Sequence, residues 1–405
     1  MSWEYVALGE LYEVHNGLSK GGKFFGKGSP FLSFSTVFNK WFLPQELLDL
    51  VQSTDSEQQS YSILRGDVFV TRTSETMDEL GMSSVALKDY PHATYNGFTK
   101  RLRPINPERI LPEFIGYYLR TAVFRAGFTA FSTMTTRASL RNEDLLSMKV
   151  PVPDMQTQKH IASILSAYDD LVESNQKQIK LLEEAAQRLY KEWFVDLRFP
   201  GHETTPIVDG IPEGWSMCTA GNVIEFNPKT PLKKGCIKQS VPMTALSTSS
   251  MVLNSSEFTM TESNSGAKFR NGDTLLARIT PCLENGKTAF VAGITSEEGA
   301  VGSTEFIVMR AKKINPYMVY LLARTEEFRK TAINSMTGSD GRQRAQVDKI
   351  MQFPYLLAPQ STLEAFSQLV EPIFEQVYLK NSQIAQLSQA RDRLLPKLMS
   401  GEIEV

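Results

Sequence analysis

From Gln156 to about Val195 the apolar positions step at helical spacing. One heptad column reads Ile161, Tyr168, Asn175, Leu182, Leu189, and its neighbour reads Leu165, Val172, Ile179, Ala186, Trp193. The same two columns return near the C-terminus as Phe366, Ile373, Lys380, Leu387, Leu394 and Val370, Val377, Ile384, Arg391, Leu398. Sustained heptads predict two long helices, each seeking a partner helix. At ~1.5 Å per residue, a helix of about 35 residues reaches roughly 50 Å. An antiparallel pair would bury Ile161, Leu165, Tyr168, Val172, Ile179, Leu182 and Leu189 against Phe366, Val370, Ile373, Val377, Ile384, Leu387 and Leu394. Asn175 and Lys380 each put one polar residue in mid-column, the kind of substitution that fixes register at some cost in stability. Pro372 should break or kink the second helix, because it lacks an N–H and crowds the preceding turn. The alternative is two separate surface helices on two cores.

Outside these helices the pattern is mixed. Val68-Phe69-Val70, Thr274-Leu275-Leu276 and Glu305-Phe306-Ile307-Val308 read as strands, and 112–126 and 316–333 as helices. The halves repeat one another. Arg65-Gly66-Asp67 followed by Arg72 returns as Asn271-Gly272-Asp273 followed by Arg278. Leu119-Arg120-Thr121 and Phe124-Arg125 return as Ala323-Arg324-Thr325 and Phe328-Arg329, and Trp3, Gly9 and Glu13 as Trp215, Gly221 and Glu225. Proline-rich punctuation, Val150-Pro151-Val152-Pro153 and Phe353-Pro354 with Ala358-Pro359, precedes each long helix. The expected fold is α+β: two mixed α/β globular domains separated by two long antiparallel coiled-coil helices, with an internal duplication and pseudo-twofold symmetry. Domain boundaries are expected at 1–152 (first globular domain), 153–210 (first helical spacer), 211–355 (second globular domain) and 356–405 (second helical spacer).

Charge modifies this picture mildly. The net charge of −2 does not suggest a polyanion partner, but acid is concentrated in the helical stretches. Residues 1–150 are net 0 and residues 211–350 net +4, whereas 151–210 and 351–405 together carry −6. The globular halves are therefore neutral to basic. No apolar run approaches the ~18 residues that span a bilayer, and Met1-Ser2-Trp3-Glu4-Tyr5 has no signal-peptide character. Cys218, Cys236 and Cys282 form no C-x-x-C pair, which argues against a disulfide framework or zinc site and makes a reducing cytoplasm the expectation.

A catalytic centre is not visible in the sequence. His15, His92, His160 and His202 have no metal-ligand spacing. Gly21 to Gly28 nearly spells a Walker loop, but Gly28 stands where Ser or Thr must hold magnesium, so a mobile basic glycine loop fits better. Asp154 sits at a helix start, where Asp is an ordinary cap. Asn227-Pro228-Lys229 and Asn315-Pro316-Tyr317 fall short of the loop with which amino-methyltransferases hold a flipped base. What remains is loop chemistry suited to phosphates and base edges. The candidate DNA contacts are Lys20, Lys23, Lys27, Arg72, Thr73, Lys100, Arg101, Thr135, Thr136 and Arg137 in the first half. In the second half they are Lys233, Lys234, Arg278, Lys287, Arg342, Gln343 and Arg344. For Arg72 and Arg278 a structural ion pair with a nearby carboxylate is an equal alternative.

With the duplication, the two helices and the missing catalysis in view, the chain resembles the specificity subunit of type I restriction–modification systems. The resemblance runs essentially full length. It is carried by LLPKLMSGEI at 394–403, Trp193-Phe194-Val195-Asp196, IPEGW at 211–215 and the proline-rich starts of both helices. It makes the two globular domains target-recognition domains. It implies a subunit without catalytic residues, metal or cofactor of its own, which reads a bipartite, asymmetric sequence in double-stranded DNA. Two modification subunits carrying S-adenosylmethionine would methylate adenines there, and restriction subunits using ATP and magnesium would join through the complex. Half-sites on one face of B-DNA lie about 34 Å apart per helical turn, a distance helices of this length can match. The rival readings are a self-sufficient DNA-modifying enzyme and a coiled-coil scaffold without DNA specificity.

Overall fold

The computed structural model describes residues 3–74, 80–131, 138–339 and 341–405. The chain forms two compact units, one of residues 1–172 with 386–405 and one of residues 173–385. Each long helix thus contributes to both units, so the spacer stretches expected at 153–210 and 356–405 are divided between two cores.

In the first unit an antiparallel sheet runs in the order Tyr12–Asn16, Thr99–Pro104, Val68–Thr71, Ser83–Val85. A second, three-stranded sheet orders Leu50–Val51, Phe25–Leu32 and Thr94–Tyr95, the last two parallel. Glu4–Ala7 pairs antiparallel with Lys149–Val152 and brings the two ends of the globular part together. The second unit repeats the plan. Its antiparallel sheet runs Ile224–Phe226, Phe306–Ala311, Thr274–Ala277, Thr288–Phe290. A second sheet of four strands again contains one parallel pair, Lys238–Val241 with Ala300–Gly302, and Ser216–Thr219 pairs with Pro354–Leu357. The duplication read from scattered residues is a duplication of topology.

The repeated Gly-Asp turn explains part of why. Gly66 and Gly272 take positive φ, 91° and 89°, a backbone shape that glycine adopts without penalty. The Asp that follows then closes the turn: Oδ2 of Asp67 accepts from the Leu64 amide at 2.8 Å, and Oδ2 of Asp273 from the Arg270 amide at 2.9 Å. Each carboxylate also takes a bidentate guanidinium from the neighbouring strand, Arg103 on Asp67 and Arg310 on Asp273. Both Asp side chains are buried, so the repeated acid is a structural keystone of the sheet.

The helix expected at 112–126 is two helices, Pro112–Tyr118 and Ala122–Phe131, and that at 316–333 is Pro316–Arg324 followed by Glu326–Asn334. The repeated threonine makes the break. Thr121 Oγ1 accepts from the Phe124 amide and Thr325 Oγ1 from the Phe328 amide, which caps a new helix instead of continuing the old one. The arginine before it then donates to backbone carbonyls, Arg120 to Ser83, Val37 and Lys40, and Arg324 to Thr248 and Gly286.

The first long helix spans Met155–Tyr190, and Asp154 caps it by accepting from the amides of Gln156 and Thr157. A five-residue π turn, Lys191–Val195, follows and carries Trp193 and Phe194. The second long helix, Gln360–Ser400, runs on through Pro372, so of the break or kink expected there the break does not occur. Pro372 lies on the exposed side, whereas Val370, Phe374 and Val377 are fully buried. Their burial holds the backbone helical and outweighs the lost hydrogen bond.

Within the first unit Ile161, Leu165 and Leu394 join the core with Leu395, Leu398 and Met399, and Arg391 pairs with Asp169. Tyr117 donates to the same carboxylate at 2.6 Å, and the Arg391 guanidinium lies 4.8 Å over the Trp41 ring. Within the second unit the helices run antiparallel: Asn175 donates to Gln383 at 3.4 Å, and the rings of Tyr190 and Phe366 are 6.1 Å apart. Asn175 therefore has a polar partner across the seam, as a register-setting residue requires. Ile179, Leu182, Leu189, Phe366, Val370, Ile373, Val377 and Ile384 lie in or against the second core, while Tyr168, Val172 and Leu387 are half-buried. Phe374, outside the expected seam, packs on Phe290 and Tyr317 at ring separations of 5.1 and 4.8 Å. Glu183 accepts from Ser250 Oγ and the Met251 amide, tying the helix to the globular part. Among the described residues no helix is long and apolar enough to cross a membrane.

Candidate nucleic-acid interface

The basic residues singled out from the sequence fall into three groups. The first is exposed. Lys23 and Lys27 stand in a short 3-10 turn and strand, Gly22–Phe24 and Phe25–Leu32, where a mobile loop was expected. Gly28 is glycine because a Cβ there would meet the Val51 carbonyl oxygen at 2.5 Å, a close strand contact that has nothing to do with phosphate. Lys234 and Arg342 are likewise exposed, and Gln343 is half-buried with its carbonyl accepting from the Thr280 amide at 3.1 Å.

The second group is committed to partners inside the chain. Lys20 donates to Glu57 at 2.7 Å and to the Gln52 carbonyl at 2.5 Å, and it holds the Glu57 carboxyl below the usual range. Lys233 pairs with Glu298 at 2.6 Å, and Lys287 donates to the Met243 carbonyl at 3.0 Å. Arg344 makes a two-pronged bond to Glu305 at 2.7 to 3.0 Å, which lowers the Glu305 pKa, with Arg278 adding to the effect through its charge. Lys100 and Arg101 are buried in the central strand of the first sheet. Arg101 donates to the Ser62 carbonyl at 2.7 Å and lies over the Tyr95 ring, while Lys100 bonds Asn142. Burial, helped by the charge of Arg72, holds the Lys100 ammonium below its ordinary pKa. Neither side chain reaches the surface in this conformation.

The third group is Arg72 and Arg278, at equivalent places. The Arg72 amide donates to the Phe98 carbonyl at 3.0 Å, and the Arg278 amide to the Glu305 carbonyl at 2.8 Å. The Arg278 guanidinium makes no ion pair among the described residues, so the alternative of a structural pair is not what its geometry shows. Thr73 lies in the strand Thr73–Ser74. Thr135, Thr136 and Arg137 lie outside the described residues.

Lys229, which opens the basic segment 229–238 of the sequence, and Lys268, which sequence reading missed, complete the set. Together with Arg278 they line a cleft of about 800 Å³ in the second unit. Lys268 had no sequence signal, since it sits on a short strand and reaches the cleft only through its register opposite Val301. A third position separates the two units. Phe98, 55% exposed beside Arg72, corresponds to the paired Glu305 beside Arg278. The same scaffold thus displays an aromatic face in one unit and an ion pair in the other. Among the described residues no group of His, Cys, Asp and Glu could hold a metal ion.

Two copies of one α+β scaffold with unlike surfaces define an internally duplicated protein. Residues 1–184 match the model of the family described as type I restriction modification DNA specificity domain. The chain is 27% identical over 331 residues to the type I restriction enzyme MjaIX specificity subunit of Methanocaldococcus jannaschii, covering 79% of this chain and 75% of that one. It is 32% identical over 171 residues to the EcoAI specificity subunit of Escherichia coli, 40% of this chain and 28% of that one. Its fold matches a crystal structure of the type I restriction–modification S subunit from M. genitalium with a TM-score of 0.57 at 13% identity, covering 98% and 96% of the two chains. The resemblance to type I specificity subunits drawn from the sequence holds.

Proposed function

We propose that this protein is the DNA-recognition subunit of a type I restriction–modification complex, reading a bipartite asymmetric duplex and directing adenine methylation or restriction by partner subunits. The observation that carries the reading is the repeated topology with unlike surfaces. Equivalent strands are in place in both units, yet an exposed phenylalanine, Phe98, stands beside Arg72 where the Arg344-paired Glu305 stands beside Arg278. One scaffold used twice with different surfaces suits two different half-sites. The chain itself would be non-catalytic and free of cofactor. Two modification subunits would bring S-adenosylmethionine, and restriction subunits ATP and magnesium. Lys23, Lys27, Lys234 and Arg342 remain the exposed candidates for phosphate and base contacts, with the half-buried Gln343 beside Arg342.

Exchanging residues 1–150 for those of another specificity subunit is expected to replace one half-site and leave the other intact. Genomic methyladenine sequencing in cells carrying either version reads the outcome directly. Simultaneous change of both half-sites, or of neither, would defeat the proposal. Purified chain that methylates or cuts DNA unaided would instead establish the enzyme reading.

A further inference from the structure

We infer that the cleft beside Arg278 in the second unit is a phosphate site that grips the sugar–phosphate backbone of the bound duplex; this rests on the DNA-recognition reading. The cleft presents Lys229, Lys268 and Arg278 around a floor that includes Phe306 and Val308, and no carboxylate lines it. The cations are held in place by the backbone around them. Asn227 exchanges two bonds with Val308, its amide donating at 2.7 Å and its Oδ1 accepting at 3.0 Å. It does so at a positive φ of 49°, a conformation asparagine tolerates better than most residues. Three residues on, Thr230 Oγ1 accepts from Arg310 at 2.9 Å. Lys229 lies between these two anchors and is itself exposed. Arg278 is tethered on both sides of its backbone, its amide to Glu305 and its carbonyl to the Ala345 amide at 2.9 Å.

Charge accounting then singles out Arg278. The nearest candidate carboxylate, Glu305, is occupied by the fork of Arg344. The Arg278 Nε is buried and has no hydrogen-bond partner among the described residues. A buried donor without an acceptor is costly, and three like charges facing one cleft repel. A phosphodiester would supply oxygens to the guanidinium and counter-charge to both lysines, while sugar carbons met the apolar floor. Backbone contacts position a duplex without reading its sequence, so the cleft should act alike on every sequence.

The test uses the full chain in complex with its modification subunit, binding a cognate and a scrambled duplex across a salt series. The slope of log K against log salt falls by ~0.9 for each phosphate contact removed. Removing all three cations from the one phosphate they surround, Lys229→Ala with Lys268→Ala and Arg278→Ala, should reduce it by about 0.9; the double lysine variant should give part of that loss, and Arg278→Lys should restore most of the last step. Affinity should fall by the same factor for both duplexes. An unchanged slope, or a loss confined to the cognate duplex, overturns the proposal. So does tight binding of pyrophosphate or ATP that the variants abolish while duplex binding persists, since the occupant would then be a free nucleotide. If the triple variant fails to fold, judged by its melting curve, the double lysine variant alone decides. Wild-type complex that holds no duplex would sink the DNA-recognition reading itself, an outcome distinct from wild-type binding with indifferent variants.

Discussion

Asp273→Asn is expected to destabilise the second unit by about 3–5 kcal/mol, the usual result of removing one partner from a buried, hydrogen-bonded ion pair. The carboxylate is 1% exposed and the Arg310 guanidinium 14%, so water cannot take over the lost bonds. The substitution also weakens the acceptor for the Arg270 amide that closes the turn. Urea unfolding followed through Trp193 and Trp215, which both belong to the second core, measures the effect. A loss below about 1 kcal/mol would show that the pair does not hold the sheet. Replacing both partners with apolar residues, Asp273→Leu with Arg310→Met, should recover most of the loss, because no charge is then left unpaired.

Phe366→Ala should be comparably damaging, at about 3–5 kcal/mol, through lost burial and the cavity it leaves. Phe366 is fully buried, and its ring lies 4.8 Å from that of Phe194 and 5.6 Å from that of Trp193. Leu369, less than one turn along the same helix, is 50% exposed, and Leu369→Ala should stay within about 0.5 kcal/mol. Equal losses for the two variants, read by the same urea titration, would refute this assignment of faces.

Much of the scaffold was legible because it is written in periods and repeats. Heptad spacing found both long helices, and the Gly-Asp and Arg-Thr repeats located equivalent strands and helices. The repeats did not say what the residues do. Arg72 and Arg278 looked like the informative pair, yet the neighbouring Asp67 and Asp273 took their guanidinium partners from Arg103 and Arg310, dozens of residues away in sequence. Pro372 misled because a helix-breaking tendency of a few kcal/mol competes with apolar burial that only the packed core reveals. The basic run Lys100-Arg101-Leu102-Arg103 misled for a different reason. It resembles a solvated loop, but strand pairing places it at the centre of a sheet covered on both faces, where the cations bond Asn142, Ser62 and Asp67 instead of solvent. The cleft of Lys229, Lys268 and Arg278 could not have been found at all from spacing, since only tertiary register gathers them.

The second unit is one continuous stretch of chain, whereas the first closes its core with Leu395, Leu398 and Met399. During synthesis, then, the half that is made first must be finished last. Its apolar seam stays uncovered until the helix Gln360–Ser400 has been made. A premature stop after residue 385 would therefore harm the unit built mainly from the first 172 residues.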